Sequence, residues 1–102
     1  MSNYIYAFHG GKIPESPEEG AKLMARWETW MAGLGGALAN PGAPLGLSKT
    51  VSAGAVTDDG GSNPLSGYTI VKADSMNDAL EKTKGCPHLE HGTIEVAEEM
   101  QI

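Results

Sequence analysis

The chain has 102 residues, a formal net charge of -6 and only seven Lys and Arg, none of them in a run. Counterion release from nucleic acid and attraction to an anionic membrane both need clustered cations, so neither partner is expected. No stretch approaches the roughly 20 apolar residues that span a bilayer. The N-terminus lacks a basic region followed by an apolar one, so no signal peptide is expected. A single cysteine, Cys86, excludes an internal disulfide, and a cytoplasmic setting with one domain over 1–102 is the expectation.

Tyr4 to His9 alternates, with Tyr4, Tyr6 and Phe8 on one face and Ile5, Ala7 and His9 on the other, which predicts a strand. Ser16-Pro17-Glu18-Glu19 opens a helix, with Ser16 as cap, Pro17 at the first helical position and Glu19 closing a capping box. Leu23, Met24, Trp27, Trp30, Met31 and Leu34 then recur at helical spacing until Gly33, Gly35 and Gly36 end it. Ala37 to Ala39 reads as a short strand and Asn40-Pro41-Gly42-Ala43-Pro44 as a turn. Lys49 to Thr57 alternates weakly, as part of a hairpin, and Asp58 to Pro64 is an exposed loop.

Tyr68 to Ala73 is the strongest strand signal. Ser75 and Asp78 open a second helix, with Met76, Ala79, Leu80 and Thr83 as its apolar face, and Gly85 and Pro87 stop it. Thr93 to Ala97 is the last strand. The order predicts an α+β protein of the ferredoxin-like split β-α-β type, with an antiparallel sheet.

Small and branched residues suit packing under two helices. That assigns Ile5, Ala7, Thr69, Val71, Ala73, Ile94 and Val96 to the covered face of the sheet. The opposite parity collects Tyr4, Tyr6, Phe8, Tyr68, Ile70, Lys72, Thr93 and Glu95. An aromatic sheet face left bare marks an interaction site. A homodimer with faces paired would bury it, and Tyr4, Tyr6, Tyr68, Lys72 and Glu95 would then line a small-molecule site between the sheets.

The run Gly67-Tyr68, then Gly85-Cys86-Pro87-His88, together with Trp27, Trp30 and Pro41-Gly42-Ala43-Pro44, resembles the YCII-related family of small proteins (the YciI-like and DGPF-type group). The resemblance covers most of the chain. It implies a dimeric α/β barrel and activities that are mostly unassigned. Links of some relatives to transcription sigma factors imply a protein partner as an alternative. The Asp-Gly-Pro-Phe tetrapeptide of one branch has its nearest counterpart in Asp59-Gly60-Gly61-Ser62. The helix His that other relatives pair with an Asp is missing, because the first helix has no His.

His88 and His9 are the candidate catalytic residues, since His titrates near neutral pH and strand ends beside loops suit reactive groups. If the protein is an enzyme, proton transfer or addition-elimination on a small polar organic molecule is the expected reaction class. The competing reading is a non-catalytic interaction module with a dry interface. A third reading takes Cys86, His88 and His91 as zinc-type ligands, against a packing role for Cys86 and a capping role for His88. Trp27 and Trp30 are expected in the core or an interface, Arg26 solvated or in an ion pair, and Asp58 and Asp59 in a solvated turn. There is no phosphate-cradling Gly loop and no nucleophile elbow, and no cofactor is expected.

Overall fold

Strand β1, Ser2–Gly10, forms from the alternating N-terminal run and takes one of the two central places in the sheet. The computed structural model, which describes residues 1–101, continues with helix α1 (Pro17–Leu34), strand β2 (Leu38–Pro44), the short strands β3 (Thr50–Ser52) and β4 (Ala55–Thr57), strand β5 (Leu65–Ala73), helix α2 (Met76–Glu81) and strand β6 (Gly92–Glu98). The fold is α+β. Strands pair antiparallel in the order β2-β5-β1-β6, and β3 and β4 form a separate two-stranded ribbon.

Both helices start as their capping residues dictate. Ser16 Oγ accepts from the Glu19 N–H at 3.1 Å, and the Glu19 carboxylate accepts from the Glu15 N–H at 3.0 Å. In α2, Ser75 Oγ accepts from the Asp78 N–H at 3.1 Å, and Asp78 accepts from the Asp74 N–H at 3.0 Å. In each box the cap hydroxyl satisfies one backbone donor that the first turn leaves free, and the carboxylate satisfies the N–H of the residue before the cap. The Asp74 N–H, helped by Lys82, holds the Asp78 carboxyl below its ordinary pKa.

The sheet register decides which face is buried. Tyr4 lies opposite Val71, Tyr6 opposite Thr69 and Val96, and Phe8 opposite Gly67 and Ile94. Directly opposed residues point to the same side of a sheet. The core is accordingly Tyr4, Tyr6, Phe8, Val71 and Ala73 under Trp30 of α1 and Ala79 of α2, with Cys86 at its end. Val71, Thr69 and Ala73 face the helices as expected from sequence. The parity expected for β1 is corrected: Tyr4, Tyr6 and Phe8 are covered, and Ile5 and Ala7 lie on the bare face.

Size explains the reversal. Two helices crossing one sheet leave volume over a central strand that small residues would not fill. Phe8 packs edge-on to Trp27 at 5.4 Å, and Trp27 edge-on to Trp30 at 5.6 Å, the geometry aromatic quadrupoles favour. Gly67 opposite Phe8 makes room for the ring, since a Cβ there would approach Phe8 Cδ2 to 3.3 Å. Of the expected apolar face of α2, only Ala79 is buried; Met76 and Leu80 are exposed.

The turn expected at Asn40–Pro44 is also corrected. These residues continue β2 along β5, with register irregularities between Leu38 and Asn40 and between Asn40 and Ala43. Asn40 Oδ1 accepts from the Gly42 N–H at 2.9 Å, and Thr69 Oγ1 donates to the Pro41 carbonyl at 3.1 Å. Local turn chemistry is thus absorbed into a bulged edge strand.

One sheet backed by one helical layer makes a slab whose Cα extents are 44 × 42 × 18 Å. The β3–β4 ribbon is exposed throughout. Among the described residues, no helix is long and apolar enough to cross a membrane.

Candidate functional site

The helix-free face of the sheet is where the sequence-derived candidates meet, though not all of them. Across its middle run Ile5 opposite Ile70 and Ala97, then Ala7 opposite Tyr68 and Glu95. Ile5, Ala7, Tyr68 and Ile70 are half-buried, and Lys72 and Glu95 are exposed. Lys72 lies in the row of Asn3 on β5, and Glu95 in the row of Ala7 on β6. The two charges therefore occupy opposite corners of an apolar centre.

Lys72 differs from every other Lys and Arg of the chain. Lys12, Lys22, Arg26, Lys49, Lys82 and Lys84 each face a carboxylate, respectively Glu15, Glu18, Glu90, Asp58, Asp78 and Glu81. Among the described residues Lys72 has no such partner. Arg26 meets Glu90 with two nitrogens, so of the two states expected from sequence, solvated or ion-paired, it takes the ion pair.

His9 sits at the rim of the same face. Its Nε2 is 2.9 Å from Glu95 Oε1, and its Nδ1 is 2.9 Å from the Asn63 carbonyl oxygen. Sequence parity separated His9 from Glu95; the register unites them, because β1 is turned over relative to that expectation. The Asn63 contact is a main-chain acceptor brought from a loop 54 residues away in sequence, and no residue-type signal marks it. Burial alone would push the His9 imidazole down. The Glu95 carboxylate and the carbonyls of Asn63 and Pro64 outweigh burial, and the net direction is up from 6.5.

Tyr4 and Tyr6, expected to line a ligand site on the bare face, are core residues instead. Tyr6 is fully buried, and its hydroxyl donates to the Ala79 carbonyl at 2.5 Å. Burial pushes its phenol up to about 12. Tyr68 alone of the three tyrosines lies on the bare face.

His88 is placed on the helix side. Its Nε2 is 2.8 Å from the His9 carbonyl oxygen, to which it donates, and its ring lies 5.1 Å from that of Phe8. It fits against two glycines, since a Cβ on Gly92 would overlap the imidazole and one on Gly11 would come within 3.1 Å of it. The two candidate catalytic histidines therefore touch through a main-chain carbonyl, with their rings on opposite faces of β1. His88 holds the end of β1 to the segment before β6.

Cys86, His88 and His91 are not brought together as ligands. Among the described residues no three His, Cys, Asp or Glu side chains are arranged to hold a metal ion. Cys86 is buried in the core, and burial pushes its thiol up to about 11, so it is not a thiolate at neutral pH. His91 is exposed and gives its main-chain carbonyl to the Gly11 N–H.

Two shallow clefts lie beside α1, away from the bare face. One, of about 350 Å³, is lined by Trp30, Leu34, Glu81, Lys82 and Lys84; the other, of about 240 Å³, by Lys12, Lys22, Arg26, Glu90 and His91. Their Lys and Arg side chains are held in ion pairs. No family model matches the chain, and no curated protein matches it.

Proposed function

We propose that the chain is a YCII-related protein of ferredoxin-like architecture, and that two copies pair their bare sheet faces around a small polar molecule. The strand order β2-β5-β1-β6 with both helices on one side supports the architecture.

The observation that carries the pairing is a surplus of surface. The chain exposes 6965 Å², whereas a monomeric globular protein of its mass exposes about 5,500 Å². Roughly 1,500 Å² is left over, while one subunit of a standard interface gives up about 800 Å². The projecting β3–β4 ribbon accounts for part of the rest. The Cα radius of gyration, 14.9 Å, likewise exceeds the value of about 13 Å typical of this length.

The charges favour a second copy over an unrelated partner. In a two-fold interface each patch meets itself, so a contact from one residue to another occurs twice. Lys72 and Glu95, at opposite corners, then find each other across the axis, while Ile5, Ala7, Ile70 and Tyr68 close around the centre. Tyr68, Lys72, Glu95 and His9 supply the polar groups that orient a ligand. His9, oriented by Glu95 at the rim, is the group of this site that can exchange a proton near neutral pH, and proton transfer with a small polar organic molecule is the reaction class it supports.

Charge reversal tests the pairing. Lys72→Glu and Glu95→Lys, each alone, are expected to weaken dimerisation about tenfold or more, and the double exchange to restore it. Sedimentation velocity reads all three. Unchanged affinity in the single variants, or no recovery in the double one, overturns the proposed register. Native mass spectrometry of the gently purified dimer reads the ligand: a bound small molecule supports the site, and a dimer without one shifts the function to the interaction module.

A further inference from the structure

We propose that His9 is a protonation-controlled clamp: its imidazolium holds the segment 58–64 against the rim of the bare sheet face, and loss of the proton releases that segment. The contacts involved lie within one chain, and Glu95 is also the residue that the proposed pairing sets opposite Lys72 of a second copy.

The geometry sets the requirement. A carbonyl oxygen only accepts, so the Asn63 contact at 2.9 Å demands a proton on Nδ1. The Glu95 carboxylate at 2.9 Å demands one on Nε2. Only the imidazolium carries both. A neutral imidazole must turn one nitrogen lone pair toward an oxygen lone pair. The charge-assisted bond to Glu95 is the stronger of the two, so the neutral ring keeps its proton on Nε2 and the Asn63 contact opens.

Besides its covalent entry into β5 at Leu65, which lies opposite His9, no other hydrogen bond of this segment reaches the four-stranded sheet among the described residues. Among the hydrogen bonds of the described residues, Asp58 reaches Lys49 and the Asp59 carbonyl reaches Thr50, both at the ribbon, and the Gly61 N–H turns back to Asp59. The ribbon itself is a bare hairpin, marginal without further support. The Leu45 N–H donating to the Ser66 carbonyl closes the base of the excursion 46–64, and His9 adds a hold just inside it, at Asn63.

The charged surroundings of the ring are few. From β6 it meets Glu95, and from the segment it meets only main-chain carbonyls. The side chain of Asp59 is turned to Gly61, and that of Asp58 to Lys49. His88 reaches the His9 carbonyl from the other face of β1 and leaves the ring alone. The direction of titration follows. His9 binds its proton more tightly here than in an unfolded chain, so the clamp is closed below pH 6.5 and opens as pH rises through the raised folded value.

The test is nuclear magnetic resonance on the whole wild-type chain and on His9→Gln. Carbon-13 order parameters of the Cα–H bonds of Gly60 to Asn63 are expected near 0.85 at pH 6 and below about 0.6 at pH 9 in the wild type. His9→Gln is expected to show the low values at both pH values, with β5 unchanged. In the wild type the ring of His9 and the signals of residues 60–63 must titrate with one midpoint above 6.5, and Glu95→Gln must lower that midpoint by about one unit or more. A segment equally rigid at both pH values, a pH step surviving in His9→Gln, or separate midpoints for ring and segment overturns the clamp. Should His9→Gln fail to fold, the wild-type midpoints decide alone.

Discussion

Gly42→Ala is expected to cost more than about 3 kcal/mol of stability, enough to leave much of a small domain unfolded. Two independent penalties meet at this position. Gly42 has φ +69°, where an L side chain is strained. A Cβ there would also lie on top of the Tyr68 carbonyl, the backbone of the neighbouring strand, and backbone has no rotamer by which to yield. Relief would require β2 to leave β5. Gly33→Ala supplies the contrast. Gly33 lies within α1, and a Cβ added there would meet no atom within 4 Å, so Ala is expected to stabilise by up to about 1 kcal/mol. Urea unfolding of both variants reads the two opposite signs.

Tyr6→Ala is expected to cost about 3–5 kcal/mol, and Tyr6→Phe about 1–3 kcal/mol. The larger change empties the centre of the core, where Tyr6 is fully buried beside Trp30. The smaller change isolates one hydrogen bond. Helix α2 is short, and its last carbonyls need donors from outside the helix. The Tyr6 hydroxyl serves Ala79, and the Trp30 indole serves Lys82 at 3.1 Å. Phenylalanine would leave the Ala79 carbonyl buried and unpaired. The pH dependence separates this from a packing effect. The Tyr6 phenol is raised from 10.0 to about 12, so its contribution is complete below pH 10 and is lost as pH rises through about 12. Tyr6→Phe should lack that part of the alkaline loss in a chemical-denaturation series.

What was legible in the sequence was mostly local. The capping pairs Ser16 with Glu19 and Ser75 with Asp78 lie three residues apart, and each forms the hydrogen bonds that the spacing implies. The strands β1, β5 and β6 follow from alternation over short windows. The face of β1 did not follow, because it depends on pairing Tyr4 with Val71, far along the chain. Size was the wrong guide there: a central strand under two helices takes rings, and Tyr6 can be buried only because Ala79 supplies an acceptor. The Pro41-Gly42 signal was real turn chemistry, but strand β5 captured it as a bulge. His9 and Glu95 were both legible as candidates and invisible as a pair, since 86 residues separate them.

The proposed function rests on the bare sheet face of one copy covering that of another. Sedimentation equilibrium of the unmodified chain at micromolar concentration tests this pairing without any substitution. A single species of twice 10.6 kDa is predicted. A single species of 10.6 kDa throughout that range would contradict the pairing.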